Sequence, residues 1–165
     1  MVNRTAIFNS SPLIILSKLN YLEGSLQLFD KPVIPSAVLI EIQQKDDDVH
    51  CAINQLLKKG RLEKRDSKFS RLSNGLNQRI GKGESEAIAL GIELNMDYVI
   101  LDDKVARREA ERLGLKVLGS LGIILKLEKE NIITINNYED LYLQLVELDF
   151  RVRKEIFEMI FGLKK

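Results

Sequence analysis

Residues 97–104 read Asp97-Tyr98-Val99-Ile100-Leu101-Asp102-Asp103-Lys104, an apolar run that ends abruptly on two aspartates. Aromatic and β-branched residues suit a pleated, buried surface, so Tyr98–Leu101 predicts a strand. The run does not alternate with polar residues, which is the pattern of a strand covered on both faces, as in a parallel sheet. Behind it, residues 104–113 predict a helix, and Gly114 supplies the residue that closes helices in a left-handed conformation. A further apolar stretch, Leu115–Leu118, follows at once. Strand, helix and strand in succession form one βαβ unit, whose crossover makes the two strands parallel.

The same alternation extends outward in both directions. Toward the N-terminus, residues 84–94 predict a helix, with Ala87 and Gly91 as small residues for close packing on a sheet. Thr5–Phe8 predicts a buried strand ending in the polar turn Asn9-Ser10-Ser11, and Pro12 fits the first turn of a helix through Leu19, where a missing amide hydrogen costs little. A short helix closes over Leu26–Phe29, and Val33-Ile34 forms a short strand between prolines. Pro35-Ser36 opens a helix to about Gln44, and another spans roughly Val49–Lys59 before Gly60. Residues 66–82 are polar and read either as a mobile loop or as a short helix around Phe69–Ile80 flanked by loops. Toward the C-terminus, a helix from about Ser120 to Glu130 precedes two amphipathic helices, near Asn137–Glu147 and Arg151–Phe161. The expected architecture is a three-layer α/β/α sandwich with a central, mostly parallel sheet.

Composition limits the functions on offer. Lys and Arg number 25 against 24 Asp and Glu, a net charge of +1. No global field therefore draws the chain to nucleic acid or membrane, and any basic surface must be local. The lone Cys51 forms no internal disulfide, which suits a reducing compartment. No apolar run approaches the ~20 residues that span a bilayer. The expectation is one cytoplasmic domain over residues 1–165, with the helices from about 137 completing the core through Leu141, Leu145, Leu148, Ile156, Met159 and Ile160, or offering a dimer or partner surface.

In parallel sheets, ligands bind outside the carboxyl ends of the strands. Two predicted strand ends carry polar clusters there: Asn9-Ser10-Ser11, and Asp102-Asp103. Adjacent aspartates repel unless a cation or solvent separates them, and Mg2+ or Mn2+ would turn the repulsion into coordination. The plainer reading is a helix N-cap. Glu41 lies inside Ala37-Val38-Leu39-Ile40-Glu41-Ile42, where a carboxylate costs several kcal/mol unless paired, protonated or metal-bound. The alternative is an exposed Glu41 pairing with Lys45, worth about 0.2–0.5 kcal/mol. Glu84 and Glu86 open a helix at Gly83, two residues apart, so one of them at most faces the sheet end. Helix-dipole placement accounts for both equally well. His50, after Asp46-Asp47-Asp48, sits in a solvated turn without partners for a zinc site.

Taken together, Ile7-Phe8-Asn9-Ser10-Ser11-Pro12-Leu13-Ile14, Val33–Ile42, Gly83-Glu84-Ser85-Glu86-Ala87-Ile88-Ala89-Leu90 and Tyr98–Lys104 resemble, in order and spacing, the PIN domain over roughly residues 5–120. The wording is similar to a prokaryotic, toxin-like subgroup. The resemblance implies Mg2+- or Mn2+-dependent hydrolysis of RNA phosphodiesters, a homodimer, and pairing with an antitoxin protein. Carried over by position, it assigns Asn9, Glu41, Glu86 and Asp103 to the metal and catalytic cluster, with Asp102 and Glu84 as near-equivalent candidates. Ser10 or Ser11 would hold a metal-bound water or phosphate. The departure is Asn9, where most active members carry aspartate. An amide oxygen coordinates Mg2+ but adds no charge and cannot act as a base. The second expectation is therefore a catalytically weakened domain acting as a nucleic-acid- or protein-binding module.

RNA would meet Lys82, Lys104, Arg107 and Arg108, with residues 104, 108 and 112 sharing one helix face. A solvated face balanced by Glu109 and Glu111 explains the same charges, and no aromatic platform accompanies them. A phosphate-binding loop is not indicated, because Gly81-Lys82-Gly83 lacks its glycine pattern.

Overall fold

A computed structural model describes residues 4–163. Five short strands, β1 (Ala6–Phe8), β2 (Val33–Pro35), β3 (Glu63–Arg65), β4 (Tyr98–Ile100) and β5 (Val117–Leu118), form a wholly parallel sheet in the order β3-β2-β1-β4-β5. The register aligns Ile7 with Val33 on one side and Val99 on the other. Side chains alternate across a strand, so one face of the sheet carries Ala6, Phe8, Ile34 and Ile100. The other carries Ile7, Val33, Val99 and Leu101. Each face has its own core, which is why these strands are apolar throughout rather than at every second residue.

Helices cover both faces. On the first lie α1 (Ser10–Lys18), α2 (Leu22–Gln27), α3 (Ser36–Lys45), α4 (Asp47–Lys58) and α8 (Ser120–Lys129), through Leu13, Leu16, Leu26, Ile42, Ile53 and Ile124. On the second lie α5 (Ser70–Asn77), α6 (Lys82–Glu93) and α7 (Lys104–Arg112), through Leu76, Ala87, Ile88, Ala106 and Ala110. Gly91 lets α6 settle onto the sheet, since a Cβ there would stand 2.8 Å from a methyl of Val99. The final helices, α9 (Tyr138–Glu147) and α10 (Lys154–Ile160), send Leu141, Leu145 and Phe157 into the first core. The core reading holds for Leu141 and Leu145, with Leu148, Ile156 and Ile160 half-buried, but not for Met159, which was expected in the core and is 66% exposed. Leu143, Val146 and Met159 remain exposed on their outer sides.

Every predicted strand and helix appears within a few residues of its expected limits, with one omission. β3 reads Glu-Lys-Arg and is exposed along its whole length. It is an edge strand, defined by backbone pairing to β2 rather than by burial, and charged side chains are how exposed edges avoid further pairing. A search for apolar runs passes over it. No described helix is long and apolar enough to cross a membrane.

Candidate functional site

β1 lies between β2 and β4, so the chain order reverses at the centre of the sheet. Crossovers leave in opposite directions there and open a crevice at the carboxyl edge. Asn9 directly follows β1 at this point, and its amide donates to the Ile100 carbonyl of β4 at 3.1 Å. Asn9 also occupies the N-cap position of α1, where asparagine ordinarily accepts from a helix amide. It makes no such bond. The side chain is 2% exposed, and its Oδ1 is buried without a hydrogen-bond partner among the described residues. An unsatisfied buried acceptor costs about 1–3 kcal/mol, so this oxygen is suited to a cation or an ordered water.

Glu41 comes to the same rim from α3. Ser10 Oγ donates to its Oε2 at 2.8 Å, and the Gly83 amide donates to its Oε1 at 2.9 Å. No ion pair with Lys45 forms among the described residues, so Glu41 points inward. Gly83 is what permits the approach: a Cβ there would lie 2.6 and 2.7 Å from the two carboxylate oxygens. Ser10 thus orients Glu41, a role that the residue-by-residue reading missed. The signal was a hydroxyl at the exit of the first strand.

Glu84, on the first turn of α6, reaches back to accept from the Gly81 amide at 2.9 Å. Burial raises its carboxyl above the usual glutamate range, and the nearby charges of Asp103 and Glu41 push the same way, against the Gly81 amide and Lys45. Glu84 thus lies within electrostatic range of both Glu41, on α3, and Asp103, at the start of α7. Asp103 also caps α7, its Oδ1 accepting from the Val105 and Ala106 amides at 2.9 Å each. Capping uses Oδ1 alone, so the cap reading and the site reading are compatible.

Three expected members are turned elsewhere. Glu86 accepts from Ser73 Oγ of α5 at 2.6 Å, whereas Glu84 is the glutamate that the charges of Glu41 and Asp103 reach. Asp102 accepts from the Ser120 amide at 2.7 Å and from Ser120 Oγ at 2.6 Å, tying β4 to the start of α8. Burial raises its carboxyl despite those bonds and the nearby Arg107 charge. Arg107 points back along its helix toward the Leu101 carbonyl, at 3.5 Å, and packs on Gly119. Ser11 is half-buried and makes no side-chain hydrogen bond among the described residues, whereas Lys82, Lys104 and Arg108 are exposed near the rim.

No group of three or more His, Cys, Asp or Glu side chains among the described residues is arranged to hold a metal ion. The acids share electrostatic range rather than ligand distance. In kind they fit a hard divalent cation, offering only oxygen donors. Each also has capacity left: Asn9 Oδ1 is unpartnered, Asp103 and Glu84 each commit one oxygen, and Glu41 accepts one bond per oxygen.

The sequence matches the family model described as "PIN domain" over residues 5–164. Among solved structures, a PilT N-terminus domain protein from the hyperthermophilic archaeon Sulfolobus solfataricus is similar. It shares 20% identity and a TM-score of 0.49, over 74% of this chain and 92% of that one. No curated protein matches.

Proposed function

This chain belongs to the PIN-domain family, and from that premise we propose that it is an Mg2+- or Mn2+-dependent endoribonuclease, toxin-like and paired with an antitoxin. The observation that carries the proposal is Asn9 Oδ1, a buried and unpartnered acceptor at the sheet rim where Glu41, Glu84 and Asp103 crowd their charges. Asn9, Glu41, Glu84 and Asp103 would hold the cation. The chemistry such an ion would supply is activation of water as the nucleophile and neutralisation of charge on the phosphate.

The side chains supply the rest. Ser10 and the Gly83 amide fix the direction of Glu41. The helix start at Gly81 holds Glu84 in place. Lys82, Lys104 and Arg108 are free to meet phosphates, since none forms an ion pair among the described residues. Leu143, Val146 and Met159 give the outer face of the C-terminal helices the apolar surface that a homodimer or antitoxin contact would use.

Asp103→Asn is the decisive variant, because asparagine still caps a helix while removing the charge. We expect weaker Mn2+ binding by calorimetry and loss of RNA cleavage. Unchanged turnover in the folded variant rejects the role. Asn9 favours a second reading, a binding module with weakened chemistry, since a neutral amide adds no charge to the cluster. Metal binding without any turnover in the unmodified protein selects that module.

A further inference from the structure

We propose that residues 58–71 form a track for single-stranded RNA, with Phe69 as a base-stacking platform. This deepens the nuclease reading and rests on it.

The chain is nearly neutral overall, yet this stretch concentrates Lys58, Lys59, Arg61, Lys64, Arg65, Lys68 and Arg71 against only Glu63 and Asp66. All seven cations are exposed. Six of the seven, all but Arg65, form no ion pair among the described residues. Glu63 pairs with Arg65 at 3.0 Å, and Asp66 accepts from the Ser36 amide at 3.1 Å. The cations run from the end of α4, along the outer strand β3, to the start of α5. A basic strip of this kind tracks phosphates.

Phe69 gives the strip its second element. Of the six phenylalanines it alone is exposed, at 44%. Its turn is held in place: Glu93 Oε2 accepts from Ser67 Oγ at 3.0 Å and from the Lys68 amide at 2.7 Å. The Phe69 amide in turn donates to Ser67 Oγ at 3.0 Å. The ring is thus presented on an ordered turn, with Lys68 and Arg71 beside it around a shared cleft. An aromatic face between cations suits an unstacked base with its flanking phosphates, and a duplex offers no such base. A membrane surface fits less well, since a strand and two turns present no continuous apolar helix face.

Only the middle of the track reaches the carboxyl edge of the sheet, since Phe69 is held through Glu93 at the opposite end of α6 from Gly83 and Glu84. Arg65 pairs with Pro35 in the sheet, and Asp66 binds the first residue of α3, the helix that carries Glu41.

The test uses metal-free protein, so that binding is read without turnover. A labelled oligouridylate, a duplex of equal length and phosphatidylserine vesicles are compared by fluorescence anisotropy and co-sedimentation. Phe69→Ala should weaken oligouridylate binding about ten-fold and leave duplex binding unchanged. Phe69→Trp should retain affinity, with indole emission quenched on binding. The combined Lys64→Gln, Lys68→Gln and Arg71→Gln variant should lower the slope of log affinity against log salt by about 2. Affinity unchanged in all variants overturns the track, as does vesicle binding without oligouridylate binding, or no binding at all. If the track variants bind like wild type while Asp103→Asn abolishes cleavage, the track fails and the nuclease reading stands. The reverse pattern removes the nuclease reading alone.

Discussion

Asn9 sits where one atom decides the charge of the whole rim. Its carboxamide is neutral, so the proposed site counts three carboxylates, Glu41, Glu84 and Asp103, rather than four. Asn9→Asp would bury a fourth beside Glu41, Glu84 and Asp103, and in metal-free buffer we expect a loss on the order of 2 kcal/mol or more in chemical denaturation. Mn2+ should reverse that loss and raise RNA cleavage above wild type. A folded variant with unchanged or lower activity counts against placing residue 9 in the site. Glu84 gives a second prediction at this scale. Its folded-state carboxyl titrates above the usual range, so on raising the pH the unfolded chain releases its proton first. Stability of the metal-free protein then falls as pH climbs from the ordinary glutamate range through the raised folded value. Glu84→Gln keeps an acceptor for the Gly81 amide and should flatten that decline. Identical pH profiles for the two proteins would show that Glu84 is not the group responsible.

At the scale of elements, the site depends on how α6 meets α3. Gly83→Ala gains roughly 1 kcal/mol of helix propensity. It also forces a methyl group against the Glu41 carboxylate, an overpacking cost of about 1–3 kcal/mol. These nearly offset, so stability should change little while Glu41 swings away and Mn2+ affinity drops sharply. Calorimetry beside a urea melt separates the two effects, and intact affinity would mean that Glu41 is not a ligand. The junction of β4 with α8 behaves in the opposite way. Asp102→Ala leaves the Ser120 amide and hydroxyl without their acceptor, costing about 1–3 kcal/mol. Its metal affinity should stay near wild type, whereas Asp103→Asn loses affinity with its cap retained. Adjacent aspartates thus serve different elements.

For the whole molecule, a cation held by Asn9, Glu41, Glu84 and Asp103 would tie together elements from both faces of the sheet. A ligand that binds only the folded chain stabilises it by about 2.7 kcal/mol at a hundred-fold excess over Kd. For a chain of this size that corresponds to roughly 5–10 °C in Tm. Differential scanning calorimetry with increasing Mn2+ should show this shift, and Glu41→Gln should abolish most of it. A Tm insensitive to Mn2+ would remove the cluster as a metal site.

Local sequence alone established the α/β alternation, the parallel sheet and the rim on which to search, because those follow from apolar runs, helix stops and the geometry of crossovers. It also brought Asn9, Glu41 and Asp103 forward, each at or just beyond a strand end or inside an apolar helix. It could not choose between Glu84 and Glu86, or between Asp102 and Asp103, since neighbouring residues differ only in the direction their side chains take. Partners beyond the local turn took up Glu86 and Asp102, through Ser73 and Ser120, while Glu84 turned back onto the Gly81 amide of its own helix start. The outer strand β3 stayed hidden for a related reason. Its existence lies in hydrogen bonds to β2, and backbone pairing with a remote strand leaves no mark on a run of exposed charged residues.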